Sequence, residues 1–170
     1  MKQQSAQKSQ AVNFLWLNLD CPAKPDPADG SIRKPLPEEY IENVREAGRR
    51  YPDAEIRFWV DSKRLTEKQM KYLQCIVEAD VQNVHVRDLR EIPAYESEKL
   101  YNESETNEHW RASYKSKIWL QVDTAKILIS LQGDFDQSFF ADLDHAHLDI
   151  GSQEVQAMLD KHGLMIGSAS

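Results

Sequence analysis

The chain has 170 residues, enough for one domain with a buried core. Hydrophobic residues make up 41% and charged residues 29%, as in ordinary globular proteins, and the net charge of -7 argues against nonspecific nucleic-acid binding, which needs a basic face. No apolar run approaches the roughly 18 residues of a membrane-spanning helix. The start, MKQQSAQKSQ, lacks the apolar region of a secretory signal, so the expectation is synthesis in a cytoplasm. Cys21 and Cys75 have neither CxxC nor zinc spacing and read as buried or unremarkable thiols.

Residues 1–10 read as a disordered lead-in, and 11–170 as one domain. Val12 to Leu19, VNFLWLNL, is short and nearly all apolar, as a strand buried on both faces should be. Asp20 to Pro37 is rich in Pro, Asp and Gly and predicts a loop. Pro37 suits the first turn of a helix, with Glu38 and Glu39 near its positive end and Ile41, Val44, Ala47 and Tyr51 at helical spacing. Ala54 to Val60 predicts a second strand. Thr66 and Gln69 fit a capping box, ahead of a stripe formed by Met70, Leu73, Ile76 and Val77. Val84 to Val86 predicts a third strand. Arg87 to His109 is charged and weakly periodic, which reads as a surface excursion or as a lid beside a site.

From about Ser116 a helix is predicted, with Ile118, Val122, Ala125 and Ile129 on one face, broken by Gly133 and Asp134. SFFADL predicts the fourth strand, Gln153 to His162 a helix, Gly163 its cap and LMIG a fifth strand. Strand and helix alternate, so the expected fold is α/β, with a mainly parallel sheet and right-handed crossovers.

Ligands of open parallel sheets bind beyond the carboxyl ends of the strands. Asp142 and Asp144 fall at such an end, two residues apart and so on one face of an extended chain. Oxygen donors of this kind suit Mg²⁺ or Mn²⁺, which can bridge a diphosphate and stabilise it as a leaving group. Acidic pairs at strand ends also serve as turn formers and caps. Trp16, near the end of the first strand, could stack on a nucleotide base or pack in the core. Asp123 and Lys126, three apart on a helix, read either as an ion pair or as ligands for sugar hydroxyls and phosphate.

Together these elements resemble the DxD-containing GT-A glycosyltransferases, above all the catalytic domains of glucosylating toxins and the alpha-mannosyltransferase group. FLWLN stands where the family has its opening aromatic strand, FWVDS (Phe58 to Ser62) where it has an Asp-Ser turn, and VDTAKILISL where it has an Asp followed by a basic residue. FFADLD matches its D-x-D strand, and KHGLMIG the strand that follows. The resemblance implies a Rossmann-like GT-A fold and hexose transfer from a UDP- or GDP-sugar to a hydroxyl acceptor, protein or glycan, with retention of configuration. It implies that Trp16 stacks on the base, that Asp123 and Lys126 hold the donor sugar, and that Asp142 and Asp144 engage the diphosphate and a Mn²⁺ or Mg²⁺ cofactor. It is also compatible with a secreted bacterial effector acting in a host cell.

Three features depart from the family pattern. Lys126 replaces an arginine and loses its bidentate fork. Gly133-Asp134-Phe135-Asp136 replaces a Gly-Gly turn. The acceptor-binding part that follows LMIG in the family has no counterpart, so the resemblance implies the N-terminal, nucleotide-sugar part of a larger fold. Two rival readings remain. A degenerate fold would bind a nucleotide sugar or a protein without turnover. His145, His147 and Asp149 form H-x-H-x-D, as in metallo-beta-lactamase-like zinc hydrolases, yet Ile150 stands where that signature has its next histidine.

Overall fold

The computed structural model of the chain describes residues 9–19, 23–98, 114–144 and 150–162. Residues 10–15 form β1 (Gln10–Leu15), followed by α1 (Glu38–Arg50), β2 (Glu55–Val60), α2 (Glu67–Glu78) and β3 (Val84–Asp88). After these come α3 (Pro93–Glu98), α4 (Tyr114–Leu131), β4 (Gln137–Phe140) and α5 (Gln153–His162). Single 3-10 turns follow β2 (Ser62–Arg64) and β3 (Leu89–Glu91).

The sheet has the order β3-β2-β1-β4, and all three pairings are parallel. Val12 lies between Ile56 and Phe139, and Phe58 opposite Val86. Parallel strands need crossovers, and right-handed ones place the returning helices on opposite faces when the winding reverses. That is the arrangement here. Val12, Phe14, Ile56, Phe58 and Val84 pack with Ile41 and Val44 of α1 and Leu73 and Val77 of α2. Leu17, Trp59 and Phe140 pack on the other face with Tyr95 of α3 and Ala125 and Ile129 of α4. The Rossmann-like α/β expectation therefore holds.

Local chemistry accounts for several boundaries. Thr66 and Gln69 form the full reciprocal capping box, with Gln69 N donating to Thr66 Oγ1 at 3.1 Å and Thr66 N to Gln69 Oε1 at 2.9 Å. Gly48 lets α1 approach β3, because a Cβ there would lie 2.4 Å from Val84 Cγ2. Gly133, at φ 62°, supplies the left-handed residue that ends the turn after α4.

Some expectations change. β1 runs from Gln10 to Leu15, not from Val12 to Leu19, although Trp16 N still donates to Trp59 O at 3.0 Å. β4 ends at Phe140; Ala141 N donates to Asn13 O at 3.0 Å, and Asp142 to Asp144 lie beyond the ladder. The first part of the expected excursion after Arg87 is no surface loop. Leu89, Ile92 and Tyr95 are buried in the second core cluster, and elements this short leave no visible period. Cys75 is exposed, which leaves the unremarkable of its two readings. The expected fifth strand LMIG, the Gly163 cap, the remainder of the excursion through His109, Cys21, and the H-x-H-x-D residues His145, His147 and Asp149 lie outside the described residues.

Candidate ligand site at the carboxyl edge of the sheet

The carboxyl edge divides into two halves. On the β2–β3 side Asp61 is buried and Asp88 half-buried, and each accepts several hydrogen bonds. Asp61, only 1% exposed, accepts from Arg90 Nε at 2.7 Å and Arg90 Nη2 at 2.9 Å, and from the Tyr95 hydroxyl at 2.7 Å. It also caps the first 3-10 turn, accepting from Lys63 N at 3.0 Å. Asp88 takes Ser62 N at 3.2 Å and Arg90 N at 3.0 Å. Burial, and then the Asp61 carboxylate, push the Tyr95 phenol well above its ordinary range. Ionised carboxylates that accept this many donors are satisfied, and have little left for a ligand.

The β1–β4 side is different. Asp142 and Asp144 are both exposed, whereas Ala141 before them and Leu143 between them are half-buried against the first core cluster. Alternation gives Asp142 the side of the sheet on which Phe140 packs, the side covered by α4. On α4, Ala125 and Ile129 face the core, while Asp123 is exposed and Lys126 half-buried. Asp123 and Lys126 do not form the ion pair that their spacing allows. Among the described residues, no hydrogen bond or ion pair holds the side chains of Asp123, Lys126 or Asp142.

Trp16 sits at the same edge but is half-buried and packs with the first core cluster. It lies on the opposite face from Asp142. The two share the carboxyl edge and not a face, so a ligand touching both spans the end of the sheet between β1 and β4. That gap is the switch point, since β2 and β3 extend to one side of β1 and β4 to the other.

Beneath this edge the sheet carries a buried polar centre on the α4 face. Arg57, fully buried, donates from Nε to Asn13 Oδ1 at 2.8 Å and from Nη1 to Asp134 Oδ2 at 2.7 Å. Trp59 Nε1 donates to the same Asn13 oxygen at 2.9 Å, and Asn13 Nδ2 donates to Ser138 Oγ at 2.8 Å. The guanidinium also lies between the Trp59 and Phe135 rings, 5.2 and 4.9 Å from their centroids. Burial lowers the Arg57 pKa, and Asp134 opposes that effect. Asp134 belongs to the turn between α4 and β4. Its carboxylate ties the end of α4 to the middle of β2. An arginine and an asparagine inside otherwise apolar strands are the sequence trace of this centre.

Among the described residues, no group of three or more His, Cys, Asp or Glu side chains comes together to hold a metal. Asp142 and Asp144 each carry a carboxylate, two residues apart. That donor type fits Mg²⁺ or Mn²⁺ whose other positions are taken by water and phosphate oxygens. Among the described residues, no helix is long and apolar enough to cross a membrane. No protein-family model matches the chain, and no curated protein sequence matches it.

Proposed function

We propose that the chain is the donor-binding domain of a GT-A-type glycosyltransferase that transfers a hexose from a UDP- or GDP-sugar to a hydroxyl acceptor. One observation carries this reading. The side chains of Asp142, just past β4, and of Asp123 and Lys126, on α4, have no hydrogen-bond or ion-pair partner among the described residues, whereas Asp61 and Asp88, after β2 and β3, are hydrogen-bonded. A parallel sheet offers a ligand the crevice at its switch point before any other.

In this reading the chain's own groups do the binding. Trp16 presents an indole at the edge for the base. Lys126 carries the cation that meets phosphate or a sugar hydroxyl, and Asp123 accepts hydrogen bonds from sugar hydroxyls. Asp142 and Asp144 would hold Mn²⁺ or Mg²⁺, which would supply positive charge against the departing diphosphate. In transfer, the bond from the anomeric carbon to the diphosphate oxygen breaks and a bond to the acceptor oxygen forms. The acceptor proton is released. The residues assign no general base.

Turnover of the donor in the absence of acceptor tests the proposal. Folded protein with UDP-glucose or GDP-mannose and Mn²⁺ should release free sugar slowly, and Asp142→Ala and Asp144→Ala should each abolish the release. Undiminished release in both variants would sink the assignment.

A further inference from the structure

We infer that Arg64 is a positioning residue, which clamps the segment carrying Trp16 to the helix carrying Asp123 and Lys126. Its purpose rests on the nucleotide-sugar reading above; its geometry does not. Arg64 is 7% exposed and ends the 3-10 turn after β2. Its Nη1 donates to the Asn18 carbonyl at 2.9 Å, and Asn18 Nδ2 donates back to the Arg64 carbonyl at 3.0 Å. Its Nη2 donates to Gln121 Oε1 at 2.6 Å. Asn18 stands two residues after Trp16, and Gln121 two before Asp123. One planar guanidinium thus joins the segment that follows Trp16 to the helix that carries Asp123 and Lys126.

Neutralising Asp61 does not require Arg64. Its Nε lies 3.8 Å from Asp61 Oδ2, while Arg90 holds both Asp61 oxygens at hydrogen-bond distance. The joint is also expensive. Arg64 Nε and Gln121 Nε2 are buried donors without a hydrogen-bond acceptor, a condition that stable cores avoid. A local arrangement that sacrifices stability in this way marks a positional constraint. Lysine in place of Arg64 keeps the charge but cannot span two acceptors with a rigid fork. Glutamate in place of Gln121 keeps the acceptor and removes the unmet donor.

Nitroxide labels at the exposed residues Leu19 and Ile127, in a background with Cys21→Ser and Cys75→Ser, report the separation of loop and helix. The parent should give a narrow distance distribution and Gln121→Glu the same one, whereas Arg64→Lys should broaden it. The ratio of UDP-glucose to UDP affinity should fall about tenfold in Arg64→Lys, as for a lost charged hydrogen bond, and stay at the parent value in Gln121→Glu. An unchanged distribution in Arg64→Lys, or broadening with an unchanged ratio, overturns the positioning role. If Arg64→Lys does not fold, Gln121→Leu cuts the helix limb alone and is read the same way. A parent that binds neither ligand removes the nucleotide-sugar reading, while the distances still decide whether the clamp exists.

Discussion

The two halves of the carboxyl edge use the same residue types for opposite ends. After β2, Asp61 is buried and accepts from an arginine fork, a tyrosine and a backbone amide. After β4, Asp142 and Asp144 are exposed, and the Asp142 carboxylate has no partner among the described residues. A buried, fully partnered carboxylate organises the fold. The exposed carboxylate of Asp142, without a partner among the described residues, does not organise the fold in that way. The asymmetry should show directly in mutational data: the first half governs stability and the second binding.

The largest stability effect should come from Asp61→Asn. It leaves Arg90 beside an uncharged partner in a buried site, and a loss of about 3–5 kcal/mol in urea denaturation is expected. Values near zero would break the contrast at its stronger end. Asp134→Asn should cost less, about 1–3 kcal/mol, because its side chain is 42% exposed even though Arg57 opposite is fully buried.

Tyr95→Phe sharpens the comparison through pH. The raised Tyr95 pKa means that the folded chain keeps a proton that the unfolded chain loses at about pH 10. The stability contributed by this group is complete below that pH and is lost as pH rises further. The parent should therefore lose stability above about pH 10 more steeply than Tyr95→Phe. Parallel alkaline curves for the two proteins would show that the phenol is not held as described.

Thr66→Ala, at the start of α2, should cost about 1 kcal/mol through its capping box. The smallest effect belongs to the site. Asp142→Ala should leave the denaturation midpoint within about 0.5 kcal/mol of the parent, as surface changes do. A large loss there would mean that Asp142 is structural.

Much of this architecture is visible in the chain itself. The stripe Ile41, Val44 and Ala47, the capping box at Thr66 and the apolar run of β2 each follow from local spacing, whereas β4 ends at Phe140, before the D-x-D that its pattern placed in the strand. What local spacing hides are contacts between distant residues. Arg57 meets Asp134 across 77 positions, and Tyr95 meets Asp61 across 34. No period links them. Leu89, Ile92 and Tyr95 are likewise split between a 3-10 turn and a helix too short to display an amphipathic face. Asp61 was visible as part of FWVDS, but only its buried partners distinguish it from Asp142. Trp16 was legible as an aromatic at the edge, and of its two readings the structure shows packing on the first core cluster.

The most direct measurement is calorimetric titration of UDP-glucose and GDP-mannose into the folded protein, with and without Mn²⁺, alongside Asp142→Ala and Asp144→Ala. The account predicts binding of at least one donor that requires the metal and is lost in both variants, with their melting unchanged. Absence of binding by the parent, or binding that survives both substitutions, would contradict it.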